Sequence, residues 1–322
     1  MDEFSLIKHY FHPPENNLPD PSVIHGIGDD CAVLSVPQGQ QLALSIDTLV
    51  EGVHFLPNTS PDLLAWRLLG SAISDLAAMG ATPAWVTLAL TLPSADQAWL
   101  SHFSDALHEA LRRYKVTLIG GDTTKGPLTL SAQVHGFVPS GQALLRRGAQ
   151  VDDLICVTGT LGDSRAGLAS LMQNLTADKT IDYLQERFYK PTPRISSGQL
   201  LVGYASACLD ISDGLLGDLN HLLAYDALGA EIDSQQLPIS AQLRNFVGEE
   251  QSIEWALTGG EDFELCFTIP KQRWQALQTL LANHEVPLTR IGRVVQQSGI
   301  QIKTAEGQWK TTPPKGYNHF KE

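Results

Sequence analysis

Strand-like and helix-like segments alternate along the first half of the chain, and this alternation restricts the possible fold more than any other feature. Segments rich in β-branched and aliphatic residues predict four strands, at residues 41–50, 84–92, 115–121 and 128–138. Residues 61–80 and 95–114 instead carry apolar side chains at four-residue spacing, which predicts two helices that each bury one face. The first half is therefore expected to form an α/β unit.

The second half shows a similar alternation. Residues 154–159 and 265–270 predict strands, and four further segments predict helices, at residues 163–175, 193–206, 212–225 and 272–283. Between the halves, residues 138–153 are rich in Gly, Pro and charge, which is typical of a connection between domains. We therefore predict two α/β domains, residues 1–145 and residues 146–322.

The charge balance and the hydropathy pattern exclude several classes of function. The chain has 22 Lys plus Arg against 35 Asp plus Glu, a net charge of -13, so its surface should repel nucleic-acid phosphates. No apolar run approaches the ~18 residues that span a bilayer, and the start, MDEFSLIKHYF, is unlike a signal peptide. We expect a cytoplasmic protein that binds neither nucleic acid nor membrane.

The four cysteines predict no metal site and no disulfide framework. They stand apart, without CxxC spacing, inside apolar runs, at Cys31, Cys156, Cys208 and Cys266. We therefore expect four buried, reduced thiols.

Acidic residues recur beside Gly, Ser or Thr, mostly at the ends of apolar runs, and these are Asp29, Asp30, Asp47, Asp75, Asp122, Asp163, Asp210 and Asp213. Any one of them alone is explained as a helix cap or a turn former, and Asp213 in particular precedes a predicted helix. Together they predict a cation site, because several converging carboxylates are destabilising until cations neutralise them. Oxygen donors without a Cys or His cluster favour Mg²⁺ or Mn²⁺.

Magnesium beside Gly-rich turns raises the possibility of a bound nucleotide, whose phosphates would bridge the ions. The common nucleotide signatures are nevertheless missing. The chain has no GxxxxGK[ST], and GIGDDC lacks the third glycine of a dinucleotide fingerprint. The VAIK, HRD and DFG motifs of protein kinases are also missing. If the chain uses ATP, it does so with a different architecture.

Eight blocks of sequence, in order from about residue 5 to the C-terminus, resemble one known family, and these are GIGDDCAVL, SIDTLVEGVHF, SDLAAMGATPAW, IGGDTTKGPL, VTGTLGDSRAGL, LDISDGLLGDL, LTGGEDFELCFT and KGYNHF. The family is thiamine-monophosphate kinase, within a superfamily of ATP-using enzymes like aminoimidazole ribonucleotide synthetase. The resemblance implies an α/β fold of the α+β type with two domains, and a homodimer formed through the N-terminal sheets. It also implies transfer of the γ-phosphoryl group of ATP to thiamine monophosphate, assisted by several Mg²⁺ ions.

The resemblance further implies site residues, carried over position by position. The metal ligands would be Asp30, Ser45, Ile46 through its carbonyl, Asp47, Asp75, Asp122, Asp210 and Asp213. The ATP contacts would be Gly121, Asp122, Arg146 and Ser212, and the thiamine phosphate contacts His54, Glu261 and Tyr317. Two positions depart from the family pattern: Ile46 stands where a hydroxyl-bearing residue is common, and Phe263 replaces a common tyrosine.

The chemistry of the acceptor agrees with this set, which contains no catalytic acid or base. The second pKa of a phosphate monoester is about 6, so the attacking oxygen is largely ionised at neutral pH. For three of the site residues, a purely structural role stays open as an alternative to substrate contact. Arg146 would be part of a solvated basic pair, His54 a satisfied histidine at a strand end, and Tyr317 a tail residue packed on the surface.

Two other members of the superfamily, and a binding protein without catalysis, are the alternative functions. Selenophosphate synthetase should carry a reactive Cys or selenocysteine with a Lys in an N-terminal Gly-rich segment, and the related hydrogenase-maturation protein should end in Cys, whereas this chain ends in YNHFKE. A nucleotide- or cation-binding protein without catalysis is the alternative from another class.

Within GIGDDC, alternation of side chains along an extended segment predicts that Asp30 faces the metals and that Asp29 faces solvent or a turn N–H.

Overall fold

A computed structural model describes residues 3–11, 20–176, 178–280, 286–313 and 316–317. The chain forms two compact units, one of residues 1–76 and 81–141 and the other of residues 77–80 and 142–322. Apart from residues 77–80, the chain belongs to the second unit from residue 142 onward, whereas our predicted domain division lies after residue 145. In the part of the chain that is described, no helix is long and apolar enough to cross a membrane.

The first unit is built on a four-stranded sheet with two long helices. Its helices are α1 (Glu3–Leu6, continued by a π-helical turn at Ile7–Phe11), α2 (Pro61–Ala78, whose last two residues belong to the second unit) and α3 (Gln97–Tyr114). Its strands are β1 (Val23–His25), β2 (Val33–Leu34), β3 (Gln40–Val50), β4 (Thr82–Leu92), β5 (Thr117–Lys125) and β6 (Thr129–Pro139). The sheet order is β3-β6-β4-β5, with only the β4–β5 pair parallel, while β1 and β2 form a separate antiparallel pair.

The two faces of this sheet differ in how they are covered. Helix α2 lies over the face that carries Ser45, since its Asp75 is hydrogen-bonded to that serine, and the periodic apolar residues of the helix are buried. The opposite face is covered in part by β1 and β2, which pack near Trp85 and Phe137. Farther along this face, edge strand β3 leaves Leu44 and other apolar side chains exposed.

The second unit is built on a seven-stranded sheet of order β13-β12-β9-β11-β7-β10-β8, antiparallel except between β9 and β12. The strands are β7 (Leu154–Thr158), β8 (Ala207–Asp210), β9 (Gly229–Asp233), β10 (Leu265–Ile269), β11 (Leu288–Val295), β12 (Gly299–Lys303) and β13 (Trp309–Thr312). The helices are α4 (Asp163–Met172), α5 (Lys179–Tyr189), α6 (Ile195–Leu201), α7 (Leu215–Ala224), α8 (Ala241–Val247), α9 (Glu249–Thr258) and α10 (Lys271–Leu280). Every residue of β7 and β10 is buried, so apolar clusters cover both faces of the sheet centre.

The elements predicted from periodicity are all present, with shifted ends. Residues 281–283 of the last predicted helix lie outside the described residues. Sequence reasoning missed four helices, namely α1, α5, α8 and α9, and seven strands, namely β1, β2, β8, β9, β11, β12 and β13. Several of these elements are short and carry polar residues, so their apolar period is weak.

Two predictions about single residues were wrong. Asp122 does not follow its strand but lies inside it, because β5 pairs with β4 as far as Lys125. Cys31 is exposed rather than buried, because it belongs to the turn between β1 and β2, whereas the other three cysteines are buried free thiols.

Candidate active site

A pair of carboxylates lies between strand β3 and helix α2 in the first unit. Ser45 and Asp47 are two residues apart on β3, so both face α2, where the Ser45 hydroxyl donates to Asp75 Oδ2 at 2.5 Å. The pKa of Asp47 is raised to about 6, chiefly by burial and then by the negative charge of Asp75, while a hydrogen bond from Ser71 opposes the shift. A divalent cation would reverse this shift, because it replaces repulsion between the two carboxylates with attraction to both.

A cavity of about 790 Å³ lies elsewhere in the first unit, between the turn that follows β1 and strands β4 and β5. Its lining includes Asp29, Asp30, Gly121 and Asp122, so three of the predicted site residues share one cavity. Asp29 also accepts the N–H of Asp30 at 3.1 Å, which gives it a role in the turn. Gly121 is required sterically, since a Cβ there would lie 1.9 Å from a backbone oxygen of β4.

Strand register places Asp122 and Ile46 on the other face of the sheet from Asp47. Across the four strands, Asp122 is paired with Ala89, Ala89 with Ser131, and Ser131 with Thr48, and directly paired residues share a face of the sheet. Thr48 follows Asp47 on β3, and the side chains of successive strand residues point to opposite faces. Ile46 lies on this face too, and its side chain is 61% exposed. The predicted metal ligands on these strands therefore form two groups, and at Ile46 the side chain itself offers no donor atom.

His54 lies in the turn after β3 and is held by hydrogen bonds. Its Nδ1 accepts the N–H of Val50 at 3.0 Å, which leaves the ring proton on Nε2. Its carbonyl oxygen accepts from Arg67 Nε and Nη2 at 3.1 and 2.9 Å. Arg67 is a buried residue of α2 that sequence reasoning missed, and a lone arginine within the apolar run LLAWRLLG was the available signal.

In the second unit, three predicted residues lie at the end of β8 and in the loop before α7: Asp210 is the last residue of the strand, and Ser212 and Asp213 belong to the loop. The buried carboxylate of Asp218 organises this loop, because its Oδ2 accepts the backbone N–H groups of residues 212, 213 and 214 at 3.0 to 3.1 Å. The pKa of Asp218 is raised to about 7, chiefly by burial and then by the charge of Asp213, while the backbone hydrogen bonds and then the charge of Arg146 oppose the shift. Arg146 is therefore close enough to this loop to act on its charge.

Two more predicted residues contact the same loop. The N–H of Glu261 donates to Ser212 O at 2.8 Å, and the N–H of Tyr317 donates to Asp213 O at 3.1 Å, while the Tyr317 side chain is exposed. Glu261 and Phe263 have φ values of +67° and +51°, which cost non-glycine residues about 1–3 kcal/mol each and occur preferentially at functional sites. Phe263, which stands where a tyrosine is common in the family, is buried within this segment.

A buried ionic network lies next to this strained segment. Glu264 is fully buried and accepts from Arg187 at 2.8 Å, from Arg194 at 2.5 and 2.6 Å, and from the Thr158 hydroxyl at 2.7 Å. Burial by itself would raise the pKa of Glu264, but hydrogen bonds and charge from Arg194, with the charge of Arg187, hold it below its ordinary value. Glu264 is therefore ionised and structural, another residue that sequence reasoning missed.

The donor set fits magnesium. Among the described residues, no three His, Cys, Asp or Glu side chains lie together as a ready metal site. Mg²⁺ does not require such a cage, because it keeps several waters and binds through one or two carboxylates plus substrate phosphates. The Asp47 and Asp75 carboxylates, with the Ser45 hydroxyl, form a donor set of that kind.

Known proteins share both the sequence and the fold. The family model for the AIR synthase related protein N-terminal domain matches residues 28–138, and that for the C-terminal domain matches residues 150–304. The thiamine-monophosphate kinase of Escherichia coli K12 is 50% identical over 320 residues, covering 99% of this chain and 98% of the relative. A crystal structure of thiamine-monophosphate kinase from Stenotrophomonas maltophilia K279a superimposes with a TM-score of 0.84 at 42% identity, covering 90% of this chain and 93% of that chain.

A further solved structure contains bound ligands. AaThiL complexed with AMPPCP and TMP matches with a TM-score of 0.80 at 34% identity, covering 89% of each chain. The two domain models and these folds define the class as the two-domain, mixed α/β AIR synthase related proteins. Within that class, the chain belongs to the thiamine-monophosphate kinase family of enzymes.

Proposed function

We propose that this chain transfers the γ-phosphoryl group of ATP to thiamine monophosphate, giving thiamine diphosphate and ADP. The observation that carries the proposal is the similarity to AaThiL, whose structure holds AMPPCP, an ATP analogue, together with TMP. The cavity beside Asp30 and Asp122 supports it, since about 790 Å³ is within the usual range for a small-molecule site.

The proposed mechanism is direct in-line transfer without a general base. The acceptor oxygen is already ionised at neutral pH, so the chain's own residues need only bind and orient two anionic substrates. Bound Mg²⁺ ions would supply positive charge that lowers the repulsion between these anions. The residues that would hold them are Asp30, Ser45, Ile46 through its carbonyl, Asp47, Asp75, Asp122, Asp210 and Asp213.

The remaining predicted residues would contact the substrates. Gly121, Asp122, Arg146 and Ser212 would contact ATP, and His54, Glu261 and Tyr317 would contact the thiamine phosphate. The position of Glu261 supports neighbouring sites for the two substrates, because its backbone is hydrogen-bonded to the loop that carries Ser212. His54 is a suitable donor, since its ring proton lies on Nε2.

One assay tests the reaction. Purified protein is incubated with ATP, Mg²⁺ and thiamine monophosphate, and thiamine diphosphate and ADP are separated by chromatography. We expect both products in equal amounts. Bound ATP without any thiamine diphosphate would instead support a binding protein that lacks catalysis.

We also propose that the chain forms a homodimer through the exposed face of the first unit's sheet. Leu42, Leu44 and Ile46 alternate along edge strand β3 and are 41%, 59% and 61% exposed. Three neighbouring apolar side chains on one edge strand form a surface of the kind that a second copy covers.

Leu44→Asp should therefore convert the dimer to a monomer, because it would bury two charges across the two-fold axis. Light scattering after size-exclusion chromatography measures the mass directly. Tyr225→Asp is the matched control, since Tyr225 is an exposed apolar residue of the second unit and should leave the mass unchanged. A dimeric Leu44→Asp variant would place the interface elsewhere.

The raised pKa of Asp47 predicts a pH-dependent effect on stability. A folded-state pKa of about 6, above the unfolded value of about 3.9, means that ionisation destabilises the fold, and this penalty is complete above about pH 6. In EDTA, Asp47→Asn should therefore unfold at a higher urea concentration than the wild type near pH 7.5, with little difference near pH 4. Adding Mg²⁺ at the higher pH should stabilise the wild type more than the variant. Equal Mg²⁺ stabilisation of both proteins would contradict the metal assignment.

A further inference from the structure

We propose that Asp262 is a positioning residue for the acceptor site: it ties the segment that carries Glu261 to the start of α4 and so sets the affinity for thiamine monophosphate. This inference rests on the proposed function, in which Glu261 contacts that substrate. Asp262 itself is 1% exposed, so it acts through Glu261 rather than by touching the substrate.

The Asp262 carboxylate forms a two-point connection to α4. Its Oδ2 accepts the N–H of Gly162 at 2.6 Å, and its Oδ1 accepts the N–H of Ser164 at 3.0 Å. The start of α4 is itself closely packed, because a Cβ at Gly162 would lie 2.9 Å from the backbone nitrogen of Ala256. Gly162 also has a φ of +87°, a conformation that favours glycine. The start of α4 is thus a fixed point against which the segment is held.

Backbone contacts hold the same segment from another element. Glu261 N–H donates to Ser212 O at 2.8 Å and Phe263 N–H donates to Ile211 O at 3.0 Å. Gly260 lies so close to this loop that a Cβ would be 2.5 Å from Ser212 O. Asp262 therefore lies between Glu261 and Phe263, both in the left-handed conformation. The main chain of these two neighbours is hydrogen-bonded to the loop after β8, whereas the Asp262 side chain is hydrogen-bonded to the start of α4.

This arrangement makes the backbone of Glu261 dependent on Asp262. A non-glycine residue stays in the left-handed region only when its surroundings over-determine the conformation. The ordinary backbone conformation at residue 261 would swing its carboxylate in another direction. The two hydrogen bonds from α4 oppose that change, and a carboxylate is needed for both because each partner is an N–H donor.

Asp262→Asn tests the proposal because an amide keeps the shape but replaces one acceptor oxygen with a donor. We expect the KM for thiamine monophosphate to rise about tenfold or more, the scale of one lost buried hydrogen bond, with kcat and the KM for ATP within about threefold. An unchanged KM for thiamine monophosphate in a folded variant would overturn the proposal. If Asp262→Asn does not fold, Asp262→Ser, which keeps one acceptor, is measured in the same way.

A matched control separates positioning from loss of stability. Asp153 is also buried and accepts a backbone N–H, from Gln150 at 3.0 Å, and a hydroxyl, from Ser206 at 2.5 Å, just before β7. Asp153→Asn should lower the melting temperature without changing the KM for thiamine monophosphate. If it raised that KM as much as Asp262→Asn does, a positioning role would be contradicted.

A double-mutant cycle tests whether Asp262 acts through Glu261. Glu261→Gln alone should raise the KM for thiamine monophosphate, and adding Asp262→Asn should raise it little further. Fully additive effects would overturn the inference while leaving the proposed function intact. A wild-type protein that forms no thiamine diphosphate would instead reject the proposed function itself.

Discussion

Asp122→Asn is expected to lower kcat for thiamine diphosphate formation about 100-fold or more while the protein stays folded. The carboxylate lines the cavity of the first unit, and its loss removes a charge that would hold Mg²⁺ near the phosphates. The fold should tolerate the change because the side chain is exposed on the open face of β5, where an amide of equal size fits. Steady-state rates, with circular dichroism and thermal melting of the same preparations, measure both effects.

The adjacent turn supplies a matched control for this prediction. Asp29 lines the same cavity but accepts the N–H of Asp30, and an Asn side chain can still accept that hydrogen bond. Asp29→Asn should therefore keep a near-normal rate. Near-normal turnover in Asp122→Asn would show that the metal assignment at this cavity is wrong.

Cys31 offers a binding readout for the same variant. Its thiol is exposed and lines the cavity, whereas the other cysteines are buried. Magnesium and AMPPCP should slow alkylation of Cys31 in the wild type and protect it less in Asp122→Asn. Equal protection with lost turnover would place the defect in the transfer step rather than in nucleotide binding.

Glu264→Gln is expected to lower the free energy of unfolding by about 3–5 kcal/mol, the range found when one partner of a buried ion pair is removed. The substitution would leave the guanidinium groups of Arg187 and Arg194 without their shared carboxylate. Urea unfolding near pH 7 measures the difference. Glu231→Gln is the control, because Glu231 pairs with the exposed Arg293 at 2.7 Å and such pairs contribute about 1 kcal/mol or less.

The pH dependence of this effect has a definite sign. The pKa of Glu264 is lowered in the folded state, so its ionised form stabilises the fold above the unfolded value of about 4.3. That stabilisation is lost as the pH falls through the lower, folded-state pKa. The difference between wild type and Glu264→Gln should therefore shrink below about pH 4. A loss no larger than that of Glu231→Gln would contradict a structural role for this network.

Local patterns in the sequence were sufficient for most elements of the first unit. Apolar residues at four-residue spacing predicted α2, and Leu64 and Leu68 are indeed buried. The short strands β12 and β13 were missed because their stability comes from neighbours in the sheet rather than from a strong local pattern. The family blocks placed the candidate acids by number, yet they contained no information about the direction in which each side chain points.

The sequence by itself determined the α/β class, the family and the candidate residues, because periodicity and motif order are local properties of the chain. Only the tertiary structure decided that Asp47 and Asp122 lie on opposite faces of one sheet, since register is set by strand pairing. It also decided that Asp262 binds the start of α4, about 100 residues away in the chain, and that Glu261 is held in a left-handed conformation. Such contacts join residues far apart in sequence, so no local pattern encodes them.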